Sequence, residues 1–289
     1  MTVLDPPITF PPGRTAAVTD APLVDVAAGA APRRRRRVPR WARRLAGPVL
    51  LIALWQVASS TGVLDSRTLA SPAEAWTAAR HLLATGELQT HLWVSLQRVL
   101  WGLAFGVSAG LVLAVLAGTS RLGEDLLDST MQFLRGIPVL ALTPLLIIWL
   151  GINEEPKVAM VALAVTFPIY LNTYGAIRGV DSKLVETAQV FGVSRWGLVR
   201  DVVFPGALAG FLVGLRFALA IAWLVLVISE QINATSGVGY LMMQARMAFR
   251  TDVIVVGLFI YGFLGITSDL IVRGLEARFL TWRRGFEGS

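Results

Sequence analysis

VETAQVFGVSRWGLVRDVVFP, residues Val185 to Pro205, is a polar stretch in a chain that is otherwise mostly apolar. The run that overlaps its end, Val202 to Ser229, contains Arg216 as its single charged residue. An apolar run of that length is typical of a helix that spans a lipid bilayer. The polar stretch itself carries Glu186, Arg195, Arg200 and Asp201. It therefore predicts a polar helical connection at the surface of a membrane domain.

The composition of the whole chain also indicates a membrane protein. Of its 289 residues 55% are hydrophobic and 16% are charged, and its mean hydropathy is +0.63, whereas about a quarter of the residues of a soluble domain are charged. The net charge of +7 argues only weakly for nucleic-acid binding, because the basic residues cluster at the N-terminus and around the ends of apolar runs, as membrane orientation signals do. The chain has no cysteine, which excludes a disulfide framework, a thiolate metal site and a cysteine nucleophile. Its two histidines, His81 and His91, argue against a metal cluster.

The N-terminal part of the chain predicts a tail and a first membrane span. Residues 1–44 are rich in proline, alanine and charge and end in RRRRRVPRWARR, so we expect a disordered basic cytoplasmic tail. Residues 45–64 are long and apolar enough to form the first transmembrane helix. A cleaved signal peptide is the alternative, because VASS at residues 57–60 resembles a cleavage site, but the tail is too long for the charged region of a signal peptide.

The rest of the chain predicts an external segment and five further spans, which makes six in total. Residues 65–90 form the external segment, where Ser71 before Pro72 and Glu74 indicates the start of a short helix. Residues 91–278 form the core, with apolar runs between Arg98 and Arg121 and at Gly136–Asn153, Val158–Ile177, Val202–Ser229 and Val253–Ser268. In the first of these, glycine recurs every four residues, at Gly102, Gly106 and Gly110, which predicts close packing within the helix bundle. Neighbouring helices in a membrane tolerate the prolines of the later runs, Pro138, Pro144 and Pro168.

The positive-inside tendency predicts that both termini lie in the cytoplasm. From a cytoplasmic N-terminus, the loop at Arg121, residues 178–205 and the C-terminal tail at residues 279–289 all fall inside. Residues 151–157 and 233–252 fall outside. Most basic residues are then cytoplasmic, and Arg246 and Arg250 are the main exceptions.

Local signals within residues 178–205 predict two short helices joined by a turn. Asp181 can cap the first helix, Gly192 can adopt the left-handed conformation that ends it, and Ser194 can cap the second. Each helix has an apolar face, but both are too short to be stable in isolation. We therefore expect them to pack against the membrane domain, a partner protein or both.

The pattern of this loop resembles the EAA loop of bacterial ABC importer permeases. That pattern is E-A-A, three residues, Gly, nine residues and I-x-L-P, and here E-T-A at residues 186–188 is followed at the same spacing by Gly192 and by V-V-F-P at residues 202–205. Thr187, Val202 and Phe204 depart from it by modest changes. In that family the loop forms coupling helices that sit in a cleft of the ATPase subunit. The resemblance thus assigns ATPase coupling to Glu186, Thr187, Ala188, Gly192, Ser194, Phe204 and Pro205.

The resemblance extends from His91 to Arg278. The stretches RGIPVLALTPLLIIWLGINEEPK, FPIYLNTYGAIRGVD, GLRFALAIAWLVLVISEQINATSGVGYLM and TDVIVVGLFIYGFLG resemble the branch that handles aliphatic sulfonates, taurine and nitrate, and the likeness to aliphatic sulfonate permeases is the closest. It implies an all-α integral membrane protein of the type I ABC importer permease kind, with six transmembrane helices, in the bacterial cytoplasmic (inner or plasma) membrane. The implied function is the translocation path for an aliphatic sulfonate, with taurine, nitrate or another small molecule as alternative solutes.

The resemblance also implies partners. The permease works as a pair, which we expect to be a homodimer. Its other implied partners are ABC ATPase subunits, an extracytoplasmic substrate-binding protein and membrane lipid. No nucleic-acid partner is expected. Neither Lys157 nor Lys183 follows the glycine pattern of a G-x-x-x-x-G-K-[ST] phosphate loop. We therefore expect a non-catalytic subunit that binds no cofactor itself, with ATP and magnesium held by the partner ATPase subunits.

Three charged residues within or at the ends of the spans are candidates for the substrate path: Arg135, Arg216 and Glu230. A charge inside a membrane span is costly and often functional. One hypothesis is that Arg135 or Arg216 offers positive potential to an anionic substrate, with Glu230 near the outer end of the path. The other is that Arg135 reaches the cytoplasmic interface, Arg216 pairs within the bundle and Glu230 lies at the outer surface.

Two other classes of protein fit the sequence less well. A membrane-anchored regulator could use two helices and a glycine turn as a DNA-binding helix-turn-helix, but the insert is too short to build the surrounding soluble domain. A membrane-embedded enzyme lacks support, because the sequence has no metal cluster, G-x-S-x-G elbow or H-E-x-x-H helix.

Overall fold

The computed structural model describes residues 40–280, without the side chains of residues 40–45 and 195. Most of the two predicted tails, residues 1–44 and 279–289, lies outside these described residues. Contacts divide the chain into units at residues 1–47 and 48–289, and the packing described below is that of the second unit. All regular structure within the described residues is helical, as predicted.

The helices follow one another along the chain with short connections. They are α1 (Arg40–Ser60), α2 (Pro72–Ala84), α3 (Glu87–Thr119), α4 (Arg121–Gly123), α5 (Ser129–Leu134), α6 (Thr143–Leu150), α7 (Glu155–Arg178), α8 (Ser182–Val190), α9 (Arg195–Leu198), α10 (Phe204–Asn233), α11 (Val238–Met247) and α12 (Thr251–Phe279). Between some of them lie two π-helical turns, Glu124–Asp128 and Val199–Val203, and a 3₁₀ turn, Val139–Leu142.

Four stretches are long and apolar enough to cross a membrane: α3, α7, α12 and the continuous segment Trp196–Asn233 that contains α10. Residues Arg121–Leu134 and Val139–Leu150 form a further pair that is bent by 84° and counts as a fifth span if it makes one broken crossing. The predicted run Gly136–Asn153 is thus only the second half of this pair. Pro138 lies at the bend, where its fixed φ and missing N–H interrupt a helix. The apolar part of α1, Ala46–Ser60, is shorter than the other spans, so a sixth span stays a prediction.

Helices α3 and α7 pack closely and run in the same direction. A Cβ atom at Gly102 would overlap the side chain of Val161, and one at Gly118 would lie 2.6 Å from Cγ2 of Ile177. Between these points, the same approach is made by Gly106 and Gly110 to Val165 and Ile169. The glycine face predicted on α3 is therefore confirmed as a packing surface. Because the two helices are parallel, the chain between the end of α3 and the start of α7 must run back along the whole length of the bundle. This favours the interpretation of the bent pair as one crossing.

Helix α10 runs antiparallel to α7. A Cβ atom at Gly210 would overlap that of Ala176, and one at Gly214 would lie 2.8 Å from the carbonyl oxygen of Pro168. Residue numbers therefore rise along α10 as they fall along α7. The close approach again depends on glycine, since any side chain at these two positions would push the helices apart.

Helix α12 reverses direction once more, and this order sorts the helix ends into two groups. Trp223 of α10 donates a hydrogen bond to Ser268 of α12 (2.9 Å), and Arg216, earlier in α10, pairs with Glu276, later in α12. Residues 178–205 and the end of α12 thus lie at one end of the bundle, called here the hairpin face. The starts of α3, α7 and α12 and the end of α10 lie at the other, called the cap face.

Two short helices, α2 and α11, pack at the cap face. Ser71 and Glu74 form the predicted start of α2 as a reciprocal cap, in which the Ser71 amide donates to Glu74 Oε2 (2.6 Å) and the Glu74 amide donates to Ser71 Oγ (3.2 Å). Apolar residues of α2, α11 and the first turns of α12 then form one buried cluster, which includes Ala78, Leu82, Leu241 and Val253. The predicted short helix after Ser71 is confirmed.

Candidate functional site

The hairpin formed by residues 178–205 has the local structure that its sequence predicts. Asp181 Oδ1 accepts a hydrogen bond from the Lys183 amide (2.9 Å), and Ser194 Oγ accepts one from the Gly197 amide (3.1 Å). Gly192 has a φ of 72°, a left-handed conformation that a residue with a Cβ adopts only at a cost. The two predicted caps and the glycine elbow are therefore confirmed.

The apolar side chains of this hairpin are exposed. Phe191 is 81% exposed and Trp196 is 75% exposed, and Leu184 and Val190 are exposed beside them. Together we call Leu184, Val190, Phe191 and Trp196 the hairpin surface. Large aromatic and aliphatic groups left open on one short element are typical of a protein interaction site.

The residues of the EAA pattern lie on and around the hairpin surface. Glu186 is exposed on α8, and the Thr187 hydroxyl donates to the Lys183 carbonyl oxygen (2.6 Å) one turn earlier. Ala188 is half-buried. At the other end of the pattern, Phe204 is exposed and Pro205 occupies the first turn of α10. Proline suits that position, because the N–H groups of the first turn have no acceptor within the helix and the N–H that proline lacks therefore costs no hydrogen bond.

The second hairpin helix continues into the membrane segment without a loop. Residues Val199–Val203 form a π-helical turn that joins α9 directly to α10. An apolar cavity lies between this turn and the ends of α3 and α7, and its walls include Val199, Val203, Thr119 and Ile177. The hairpin is thus attached to the bundle through one continuous helical segment that passes beside this apolar cavity.

Ionic and tyrosine contacts brace the bundle next to the hairpin. Arg178, the last residue of α7, pairs with Glu124 (Nη2 to Oε2, 2.6 Å), and Tyr174 donates to Glu124 Oε1 (3.0 Å). One turn deeper, Tyr170 donates to Asp128 Oδ1 (3.1 Å). These bonds hold the π-helical turn Glu124–Asp128 against α7, just before the hairpin begins.

The structure separates the three predicted path residues. Arg135 is exposed at the end of α5. Arg216 pairs with two carboxylates of α12, with Nη2 at 2.7 Å from Glu276 Oε2 and Nε at 3.2 Å from Asp269 Oδ1, the latter without the alignment of a hydrogen bond. Arg216 and Glu230 lie on the same helix about 21 Å apart along its axis, at 1.5 Å per residue. They therefore belong to different sites.

Glu230 is completely buried near the cap face, so the interpretation that places it at the outer surface is wrong. Its carboxylate accepts hydrogen bonds from Arg98 Nη1 (2.7 Å), the Gly239 amide (2.8 Å) and the Tyr261 hydroxyl (3.2 Å), while the Ser95 hydroxyl lies 2.8 Å from Oε1. A buried carboxylate is stable only with such compensation. Four separate helices, α3, α10, α11 and α12, thus meet at one charge.

Arg98 of α3 is the centre of this cluster, and it is nearly fully buried. Its Nε and Nη2 donate to the two oxygens of Glu154 (2.5 and 2.8 Å), and its Nη1 donates to Glu230 and to the Ser236 carbonyl oxygen (2.6 Å). A longer contact joins Nη2 to Ser236 Oγ (3.4 Å). All five N–H groups of the guanidinium therefore have a partner.

Lys157 and Glu154 complete the set, called here the buried charge cluster: Arg98, Glu154, Lys157 and Glu230. The Lys157 ammonium donates to the Asn153 carbonyl oxygen (2.5 Å) and lies 3.5 Å from Glu154 Oε1. The pKa of Glu154, which precedes α7, is lowered below its ordinary value, because Arg98 donates hydrogen bonds to its carboxylate and the charges of Arg98 and Lys157 attract it. The cluster thus has two positive and two negative charges.

Two glycines allow the chain to close over this cluster. Gly237 has a φ of 115°, and a Cβ atom there would overlap the carboxylate of Glu230 and lie 2.6 Å from Arg98 Nη1. A Cβ atom at Gly239 would lie 2.8 Å from that of Glu230. The Gly237 amide in turn donates to His91 Nδ1 (2.9 Å). These positions require glycine because backbone and charged groups occupy the space of a side chain.

Sequence reasoning identified Glu230 but missed its partners. In the sequence, Arg98 marks only the edge of a charge-free run, and Glu154 and Lys157 fall within a predicted external loop. One signal was available: the predicted topology puts Arg98, residues 154–157 and Glu230 at the same end of their spans. The four charges thus could have been paired from sequence, although the burial of Arg98, Lys157 and Glu230 could not have been predicted.

Comparison with known proteins places these features in a family. Residues 106–281 match the family described as "Binding-protein-dependent transport system inner membrane component". The chain is 46% identical over 252 residues to the aliphatic sulfonates transport permease protein SsuC of Escherichia coli K12, covering 86% of this chain and 96% of that protein. It is 40% identical over 248 residues to the protein of the same name from Bacillus subtilis 168, covering 86% and 90%. The taurine transport system permease protein TauC of E. coli K12 is 32% identical over 195 residues, covering 68% and 71%.

Solved structures share the fold at lower identity. The crystal structure of an amino acid ABC transporter with histidines matches with a TM-score of 0.57 and 18% identity, over 69% of this chain and 97% of that one. An inward-facing form of the methionine ABC transporter MetNI matches with a TM-score of 0.53 and 18% identity, over 66% and 97%. At this identity the likeness concerns the fold alone.

Proposed function

The chain belongs to the binding-protein-dependent transport system inner membrane components, and from this premise we propose that the solute it carries as an ABC importer permease is an aliphatic sulfonate. The proposal rests on one observation: the relatives named for aliphatic sulfonates match more of the chain, at higher identity, than the relative named for taurine. Taurine is itself a sulfonate, so the shared chemistry of the solutes is the sulfonate group.

The hairpin surface is the proposed binding site for the ATPase subunit. Its four apolar side chains are open to solvent, and its position at one end of the bundle leaves it accessible to a partner outside the membrane. Glu186 and the other residues of the EAA pattern lie there, and Gly192 sets the angle between the two short helices. ATP and magnesium then bind to that partner subunit, and this chain contributes no catalytic group.

The hairpin face is the proposed cytoplasmic side. Basic residues at or near this end include Arg121, Arg178, Lys183, Arg200 and Arg278, which agrees with the positive-inside tendency. With α1 as the first of six spans, both termini are cytoplasmic, and the protein is a multi-pass component of the bacterial cytoplasmic membrane. The cap face then meets the substrate-binding protein, and a second copy of the chain completes the path.

Coupling between the ATPase and the path is proposed to run along α10. The hairpin joins α10 through the π-helical turn Val199–Val203, and the far end of α10 carries Glu230. A displacement of the hairpin therefore moves a helix that reaches the buried charge cluster. The apolar cavity beside the turn offers room for such a displacement.

The path roles of Arg135, Arg216 and Glu230 stay predictions, and the structure supports them unequally. The two carboxylates of α12 already neutralise Arg216, which favours a structural role. A reconstituted Arg216→Gln transporter with normal uptake and unchanged substrate preference would exclude it from the path. Glu230 lies near the cap face, where it pairs with Arg98.

The test of the proposed function is uptake by the reconstituted complex of this chain, its ATPase subunits and its binding protein. Alkanesulfonates, taurine and nitrate are supplied separately, and both accumulation and ATPase stimulation are measured. We expect alkanesulfonates to give the strongest uptake and stimulation. Uptake of nitrate without uptake of either sulfonate would contradict the proposal, and a preference for taurine would narrow it to amino-sulfonates.

A further inference from the structure

The four members of the buried charge cluster differ sharply in their access to solvent. The side chains of Arg98, Lys157 and Glu230 are almost fully enclosed, whereas that of Glu154 is 54% exposed. An exposed carboxylate that leaves its partners regains hydration, while a buried one does not. Glu154 is therefore the one member whose own charge is rehydrated when it leaves, whereas the two buried cations that it leaves behind require another anion.

Both buried cations of the cluster are directed at Glu154. Arg98 presents the Nε and Nη2 edge of its guanidinium to the two carboxylate oxygens, and Lys157 Nζ lies 3.5 Å from Oε1. This planar fork suits any group that offers two oxygens on one centre. Arg98 stays anchored without Glu154, because its Nη1 edge is held by Glu230 and the Ser236 carbonyl oxygen.

Glu154 sits on a short exposed segment before α7, called here the strap (residues 151–154). Its backbone is held by hydrogen bonds from the Gly151 amide to the Ile147 carbonyl oxygen (2.8 Å) and from Lys157 Nζ to the Asn153 carbonyl oxygen (2.5 Å). Gly151 begins the strap with a positive φ of 84°, and Ile152 is 70% exposed. A long hydrogen bond from Asn233 Nδ2 to the Ile152 carbonyl oxygen (3.4 Å) joins the strap to the end of α10. Moving the strap would leave two cations and one carboxylate, a net charge of +1, facing the space that Glu154 vacates.

We propose that Arg98 and Lys157 form an oxyanion subsite at the cap face, that the carboxylate of Glu154 occupies it in this structure, and that the sulfonate group of the solute displaces Glu154. This rests on the proposed function in two respects, the external position of the cap face and the sulfonate cargo. Carboxylate and sulfonate groups offer the same pair of oxygens to the guanidinium edge. The strap then reports occupancy, since it moves when the anion binds.

The absence of cysteine from the chain allows a direct test. A single cysteine replaces Ile152 on the strap of the full-length chain, assembled with its ATPase subunits in proteoliposomes, and its rate of alkylation by a membrane-impermeant maleimide is measured. The probe is methanesulfonate, and its control is dimethyl sulfone, a neutral molecule of similar size. We expect methanesulfonate to change the alkylation rate in a saturable manner and dimethyl sulfone to leave it unchanged.

Variants of two adjacent glutamates then test the role of Glu154. Glu154→Gln removes the competing charge from an exposed side chain, so we expect methanesulfonate to bind about tenfold more tightly, within the usual range of coupling between sites. Glu155→Gln, an exposed neighbour, is the matched control and should behave as the parent. Lys157→Gln should weaken the methanesulfonate effect, and Lys157→Arg should restore part of it.

The outcomes separate this proposal from the proposed function. If Glu154→Gln speeds alkylation but methanesulfonate has no effect on any variant, Glu154 is a structural clasp and the subsite is wrong. If Glu154→Gln behaves as Glu155→Gln does, the proposal fails as well. Sulfonate uptake by the same vesicles, now supplied with the binding protein, with an unresponsive strap would overturn the subsite alone. A responsive strap without sulfonate uptake in the presence of the binding protein would overturn the cargo alone.

Discussion

Arg98 and Glu230 form an enclosed ion pair, with 2.7 Å between Nη1 and Oε1, although 132 positions separate them along the chain. Their helices, α3 and α10, begin at opposite ends of the bundle. The pair therefore fixes the start of one membrane helix beside the end of another. The loop at residues 234–237 covers the pair, because Arg98 Nη1 also donates a hydrogen bond to the Ser236 carbonyl oxygen.

Replacing Arg98 tests the contribution of this pair to stability. Arg98→Met leaves Glu230 as an unpaired buried charge, so we expect the free energy of unfolding in mixed micelles to fall by about 3–5 kcal/mol. Arg135→Met, at an exposed position, should change it by no more than about 0.5 kcal/mol. Equal stability of the two variants would show that the pair does not hold the helices together.

The glycine contacts between α3 and α7 predict a strong effect of side-chain size. Gly106→Val places methyl groups where the Ala162 carbonyl oxygen and Val165 already lie, and overpacking of this kind costs about 1–3 kcal/mol or more. Gly262→Val is the matched control, because nothing lies within 4 Å of a Cβ atom there. Thermal unfolding of the two variants measures the difference. A lower midpoint for Gly262→Val than for Gly106→Val would contradict the packing argument.

The elbow of the hairpin should matter for assembly with the ATPase. Gly192→Val places a β-branched residue in a backbone conformation of positive φ, which costs about 1–3 kcal/mol of strain. The substitution should therefore reorient the hairpin surface. We expect co-purification of the ATPase subunit and uptake both to fall. Gly86→Val carries a similar strain at the cap face, where the φ of Gly86 is 78°, and should leave ATPase association intact. Glu186→Lys should weaken association without that strain.

The lowered pKa of Glu154 predicts a pH-dependent contribution to stability. Because this pKa is lower in the folded protein than in the unfolded chain, the contribution is fully present above the unfolded value of about 4.3 and is lost as the pH falls through the folded value. The difference in unfolding midpoint between the parent and Glu154→Gln should therefore be constant near neutral pH and shrink below about pH 4. The same scan with Glu155→Gln is the control. If the difference in unfolding midpoint between the parent and Glu154→Gln grew on acidification, the pKa of Glu154 would not be lowered in the folded protein.

Cysteine labelling tests which face is cytoplasmic. Single cysteines at Ile152 and Ser194, both at exposed positions, lie at opposite ends of the bundle. A membrane-impermeant maleimide should label the Ile152 position in spheroplasts and the Ser194 position only after permeabilisation. Labelling of Ser194 from outside would invert the orientation.

Local signals explain what could be predicted from the sequence. The apolar runs, the capping residues Asp181 and Ser194 and the elbow at Gly192 each depend on residues within a few positions of one another, and the structure contains them. The repeat of Gly102, Gly106 and Gly110 indicated a packing face in the same way. Its partner helix, however, was not evident from the repeat itself.

The remaining features depend on which helices meet. The bend of 84° between Arg121–Leu134 and Val139–Leu150 joins a segment that carries Glu124, Asp125 and Asp128 to an apolar one, so hydropathy alone identified only the second half of the pair. Burial of Glu230 and the pairing of Arg98 with Glu154 follow from the parallel packing of α3 and α7 and the antiparallel packing of α10. The sequence by itself determined the class of protein, the four long spans and the hairpin, because hydropathy and capping are local properties. Only the tertiary structure decided which charges neutralise one another, because desolvation and ion pairing depend on distances between helices that are far apart in the chain.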